Sequence, residues 1–187
     1  EAGEGKTTSS IALAQKYALA GKKVLLVDLD LRRPALAKRL DIAAPKVGSV
    51  DVLFSRVSLD EALVPGSVEN LDVLPQGEAP ADPVEILSSG LVAEFLTKVR
   101  ARYDVIILDS PPVMGIADAP LLARFVDATV LVVEANRSHH GHMRKSVRRL
   151  RDMDANIVGV ILTKYRSLDA GEGYGYGYNY YSYSKGS

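Results

Sequence analysis

Apolar residues fall in short blocks along this chain. Residues 24–27, 71–74, 105–108, 129–133 and 157–162 are dominated by Val, Ile and Leu and are bounded by charged or turn-forming residues. Blocks of that length predict buried strands, because a strand covered on both faces has no polar side to alternate with. Between them, residues 7–20, 91–102, 119–125 and 143–153 predict helices, the first closed by Gly21. Residues 35–65 predict short helices and turns, with the spacing of a capping box at Ser58-Leu59-Asp60-Glu61. Strands that alternate with helices imply right-handed βαβ crossovers. The expected fold is therefore a three-layer α/β/α domain around a mostly parallel sheet.

The pattern stops after Lys164. Residues 170–187 contain only Gly, Tyr, Ser, Asn, Glu, Lys and Ala, and six of the nine tyrosines lie among the last 14 residues. Such a segment cannot bury enough apolar surface to order itself. The chain thus divides into a folded unit, 1–166, and a flexible tyrosine-rich tail, 167–187. Lys+Arg and Asp+Glu number 23 each, so no bulk field draws the protein to nucleic acid or to an anionic membrane. With no cysteine, disulfides and thiolate metal sites are excluded. No apolar run reaches the ~18 residues that a membrane-spanning helix needs.

Three motifs carry chemistry. Gly3-Glu4-Gly5-Lys6-Thr7-Thr8 opens the first helix. It reads as a P-loop, in which glycines let backbone N–H groups approach phosphate oxygens, Lys6 bridges phosphates and the Thr7 hydroxyl ligates Mg²⁺. A P-loop normally follows a buried strand. That strand and the first glycine of the pattern are expected ahead of Glu1, as parts of a longer protein. Asp28 and Asp30 close the 24–27 block; two carboxylates at i and i+2 on a strand would share a face at its C-terminal end. One could hold Mg²⁺ while the other accepts a proton. Asp109 follows the 105–108 block in the Walker-B manner, as a metal-associated acid. Residues 137–151 gather Arg137, Arg144, Lys145, Arg148, Arg149 and Arg151 with His139, His140 and His142. The crowded histidines have no distant carboxylate or cysteine partner, which favours a solvated basic helix face over a metal site.

Taken together, Gly3–Thr8, the Asp28-Leu29-Asp30-Leu31-Arg32-Arg33-Pro34 element, Asp109-Ser110-Pro111-Pro112 and the terminal tyrosines resemble the bacterial tyrosine kinases of capsule and exopolysaccharide synthesis over nearly the whole chain. The resemblance implies an ATP- and Mg²⁺-dependent protein-tyrosine kinase on a P-loop NTPase-type fold. Such a kinase autophosphorylates its tail in trans, at Tyr174, Tyr176, Tyr178, Tyr180, Tyr181 and Tyr183. It implies nucleotide contacts from Gly3, Glu4, Gly5, Lys6, Thr7, Thr8 and Thr163, the last standing where related proteins often carry Asn. It implies metal contacts from Thr7, Asp30 and Asp109, and catalytic roles for Lys6, Asp28, Asp30 and Arg32. In that group Asp28 is the acid usually considered for activating the tyrosine hydroxyl.

The implied partners are other copies in a ring, each tail in a neighbour's active site. A transmembrane co-polymerase or activator domain and a cognate tyrosine phosphatase are also implied, with no nucleic acid. The implied location is cytoplasmic, at the inner face of the membrane through a membrane domain or partner outside this chain. Six phosphates would add about −9 to −12 charges, enough repulsion to break an assembly held by tail docking. Two alternatives compete. A cell-division-positioning ATPase would carry a signature lysine where this chain has Glu1. A nucleotide-binding regulator of polysaccharide export that has lost catalysis would keep the same motifs.

Overall fold

The computed structural model describes residues 3–43, 45–137 and 140–165. Helix α1 (Lys6–Leu19) follows the glycine loop directly and ends at Gly21, whose φ of 81° suits a residue without Cβ. Strand β1 (Val24–Asp28) comes next and is buried throughout. The 35–65 region folds as three short helices, α2 (Leu36–Arg39), α3 (Ser49–Leu53) and α4 (Leu59–Ala62). The capping box before α4 forms in both directions: Glu61 N–H donates to Ser58 Oγ at 3.3 Å, and Ser58 N–H donates to Glu61 Oε2 at 2.8 Å. A two-residue strand, β2 (Val64–Pro65), leads into β3 (Leu71–Leu74).

Helices α5 (Pro83–Ser88) and α6 (Leu91–Val99) precede β4 (Val105–Asp109). Then come α7 (Asp118–Ala123), β5 (Thr129–Glu134), α8 (His140–Arg151) and β6 (Ile157–Thr163). The expected helices and strands all form, with no end shifted by more than three residues. Two elements were not expected: β2, too short to show a pattern, and α5.

The strands form a four-stranded sheet in the order β2-β3-β1-β4 and a two-stranded sheet of β5 and β6. All pairings are parallel except β2 with β3. In the register of β1 and β4, Asp28 stands opposite Asp109, so the two acids that end the apolar blocks meet at one edge. One apolar cluster packs β1 residues Leu25 and Val27 against α3, α5 and α6, through Val50, Leu53, Ile86, Leu87, Phe95 and Leu96. A second packs Val24 and Leu26 against α1 through Ala14 and Ala18. Alternate β1 side chains therefore serve opposite layers, and this strand reads as an unbroken apolar run for that reason. Among the described residues, β4 pairs only with β1 and β5 only with β6. A cleft of about 660 Å³, lined by α1, β4, β5 and α8, lies between them.

Candidate active site

The site is built where the parallel strands end. Gly5 takes φ 90°, a backbone that favours glycine, and a Cβ there would press on Thr163 Cγ2 at 3.3 Å. Thr163 Oγ1 donates to the Glu4 carbonyl at 2.6 Å. The end of β6 thus buttresses the phosphate loop. Lys6 starts α1, with Nζ 3.9 Å from Glu4 Oε2. The next turn of α1 faces Asp109: Ser10 Oγ donates to Asp109 Oδ1 at 3.0 Å, and the Thr7 side chain is also hydrogen-bonded to that carboxylate. Asp109 is 1% exposed, and burial, with repulsion from Asp30, pushes its pKa up against the pull of these hydroxyls and Lys6.

Asp28 and Asp30 do not share a strand face. The strand ends at Asp28, whose carboxylate is wholly buried and accepts the N–H groups of Asp30 at 3.2 Å, Ala35 at 3.2 Å and Leu36 at 3.1 Å. These bonds fold residues 29–36 back over the strand end, as aspartate does when it captures nearby backbone. Burial, helped by the nearby Asp109 charge, outweighs those bonds and raises the Asp28 pKa to about 6. Asp30 sits past the strand, partly exposed, and accepts the N–H groups of Arg33 at 3.0 Å and Arg32 at 3.4 Å. Burial raises its pKa, while the backbone bonds and the nearby Lys6 charge lower it. The loop is pinned further by Ser49 Oγ donating to the Asp28 carbonyl at 2.8 Å and Gln76 Nε2 donating to the Leu31 carbonyl at 2.9 Å.

Gly3, Glu4, Gly5, Lys6, Thr7, Asp28, Asp30, Asp109 and Thr163 therefore gather at one end of the sheet, with Thr8 on the exposed side of the first turn of α1. Arg32 turns to Asp118, which sequence reasoning did not single out. Ser10 was also missed, although it lies one turn beyond Thr7 on the same helix. Arg137, read only as part of a basic segment, pairs with Glu134 at 3.2 Å and reaches within 3.5 Å of where a Gly3 Cβ would stand. The six tail tyrosines lie outside the described residues. No group of three or more His, Cys, Asp or Glu among the described residues is arranged to hold a metal. The donors that converge are hydroxyl and carboxylate oxygens. That set suits Mg²⁺, which typically takes one or two carboxylates and fills its sphere with water and substrate phosphate.

A family profile for an AAA domain matches residues 1–157. The septum site-determining protein MinD of Pyrococcus horikoshii OT3, solved with Mg-ADP, aligns with a TM-score of 0.72 and 26% identity, over 87% of this chain and 66% of that one. These findings define a P-loop NTPase-type α/β domain. Tyrosine-protein kinase YwqD of Bacillus subtilis (strain 168) is 35% identical over 160 residues, 86% of this chain and 67% of that protein. The kinase domain of VpsO aligns with a TM-score of 0.83 and 38% identity, over 88% of this chain and 81% of that one. The chain belongs to the bacterial tyrosine-protein kinases, and it spans about two thirds of YwqD.

Proposed function

We propose that this chain transfers the γ-phosphoryl group of ATP to tyrosine hydroxyls, its own tail cluster foremost. One observation carries the reading: Ser10 Oγ, one helical turn beyond Thr7, donates to Asp109 at 3.0 Å, and the Thr7 side chain also stabilises that carboxylate. The N-terminus of α1, the expected phosphate cradle, is thereby tied to the acid of the neighbouring strand end. Backbone N–H groups of the loop and the α1 dipole hold the phosphates. Lys6 neutralises charge on the transferring group, and Arg32 extends from the neighbouring loop after β1, held by Asp118. A bound Mg²⁺ would neutralise phosphate charge, with Thr7 and Asp109 as its protein ligands. In the transfer, the tyrosine oxygen bonds to the γ-phosphorus, the bond to the β,γ-bridging oxygen breaks and ADP leaves. The phenolic proton passes to a carboxylate.

Asp28 and Asp30 are the acids available for that proton. In this conformation the Asp28 oxygens are occupied by three backbone N–H groups, which makes it the organiser of the loop. Asp30 is the acid open to an incoming hydroxyl. The expected strand ahead of Gly3 is supported by β4 and β5, each paired on one side only among the described residues and both lining the cleft. One relative is a putative tyrosine-protein kinase in the cps region of Klebsiella pneumoniae. We extend this to a role in polymer export beside a membrane partner and a cognate phosphatase, with copies of this chain presenting tails to one another.

The test is to incubate the full chain with Mg²⁺-ATP and map phosphate on the tail by mass spectrometry, beside Lys6→Met. Phosphotyrosine among residues 174–183 that disappears in Lys6→Met is the expected result. Undiminished labelling in Lys6→Met would remove the P-loop from the mechanism. ATP binding without phosphotyrosine would favour the non-catalytic regulator.

A further inference from the structure

Arg32 lies in the loop after β1, and Asp118 starts α7 after β4. Because β1 and β4 are adjacent and parallel, their exit loops emerge side by side, and residues 86 positions apart meet. Arg32 Nε donates to Asp118 Oδ2 at 2.8 Å, and Arg32 Nη2 donates to Asp118 Oδ1 at 3.2 Å. The contact is two-pronged and asymmetrically exposed: the Asp118 side chain has no exposure and the Arg32 side chain 38%. A carboxylate taken wholly out of water is costly unless paired, so Asp118 is held to Arg32. The exposed partner keeps its outer edge for something else. Engaging Nε and one Nη2 proton leaves the other edge of the guanidinium, Nη1 with the second Nη2 proton, without a bond among the described residues. That fork matches two oxygens of a phosphoryl group. Besides Asp118, Arg32 sits in the fields of Asp82 and Asp30, and Asp30 in turn feels Lys6.

We infer that Asp118 is a positioning residue: it fixes the Arg32 guanidinium edge-on so that its remaining fork faces the phosphoryl group in flight. The inference rests on the proposed nucleotide chemistry of this site. A flexible arginine pays side-chain entropy each time it finds its target. A buried carboxylate clamp removes that cost before the nucleotide arrives, and stabilisation of a developing charge depends on such prior arrangement.

The test measures affinity for a fluorescent ADP with Mg²⁺, alone and with aluminium fluoride as a mimic of the transferring phosphoryl group, on the full chain. Asp118→Asn keeps the shape and removes the charge. It should lose about tenfold of the tightening that aluminium fluoride gives, while ADP alone binds within about twofold of the parent. Arg32→Ala should lose the same tightening, and Arg32→Ala combined with Asp118→Asn should lose no more than Arg32→Ala. Full tightening in Asp118→Asn, or losses that add in the double variant, would overturn the inference. Should Asp118→Asn fail to fold, Arg32→Lys decides, because it keeps the charge and lacks the fork. Loss of tightening there supports the clamp, and retention sinks it. Phosphotyrosine is scored in parallel. Its absence from the parent chain, with the affinity pattern intact, would count against the kinase reading alone.

Discussion

Single side chains at this site hold backbone more often than they face solvent, and that shapes what substitutions should do. The hydroxyl of Thr163, proposed above as a nucleotide contact, braces the Glu4 carbonyl. Thr163→Val keeps the volume and removes one hydrogen bond, worth about 1 kcal/mol net. Nucleotide affinity should fall by about fivefold, with Thr163→Ser restoring most of it, as read by calorimetry. Asp28 and Asp30 separate by the same logic. Asp28→Asn sets an amide N–H₂ against backbone N–H groups that now donate to a carboxylate, at a cost of about 1–3 kcal/mol. It should lower the urea midpoint and the activity together. Asp30→Asn should abolish transfer and leave the unfolding free energy, read from urea titration, within about 0.5 kcal/mol of the parent. Equal stability losses in the two variants would contradict this division. The sequence carried Lys6, Thr7 and Asp109 because each belongs to a local pattern of loop, helix start or strand end. Asp118 had no such pattern, since its role exists only through the parallel pairing that brings its loop to Arg32.

At the scale of elements, legibility followed length and layering. β1 and β4 were readable because strands between two helical layers need apolar residues at successive positions. α1 and α6 were readable because they run about two and a half turns or more. α5 escaped because it has six residues, yet its signals were present: Asp82 accepts the N–H groups of Val84 at 2.9 Å and Glu85 at 3.2 Å, and Pro83 opens the helix. Asp82→Ala should destabilise the chain by about 1 kcal/mol, seen as a lower thermal midpoint, and Asp82→Ser should recover most of it. The i, i+2 argument for Asp28 and Asp30 failed for an elemental reason as well. It assumed that the strand continues, whereas Asp28 ends the strand by capturing the N–H of Asp30. The alternation that places i and i+2 on one face applies only while the backbone stays extended.

Across the whole molecule, the described chain ends beside its own active site. Thr163, bonded to the phosphate loop, stands eleven positions before Tyr174, roughly 36 Å of extended chain at about 3.3 Å per residue. That reach alone would let a tail return to its own site as readily as to a neighbour's, so sequence spacing does not choose between them. The proposed trans reaction makes a distinct claim: catalytic site and acceptor need not share a polypeptide. Mixing Lys6→Met full chain, which offers tyrosines without transfer, with a chain truncated after Ala170, which offers a P-loop without the tail cluster, should put phosphotyrosine on the former. The initial rate should rise in proportion to each component. Truncation should leave ADP affinity unchanged, because every side chain assembled around the loop lies before residue 165. An unlabelled Lys6→Met chain beside a parent chain that labels itself at a concentration-independent fractional rate would show transfer within one polypeptide. In that case charge building on the tail would regulate the molecule that carries it, not its neighbours.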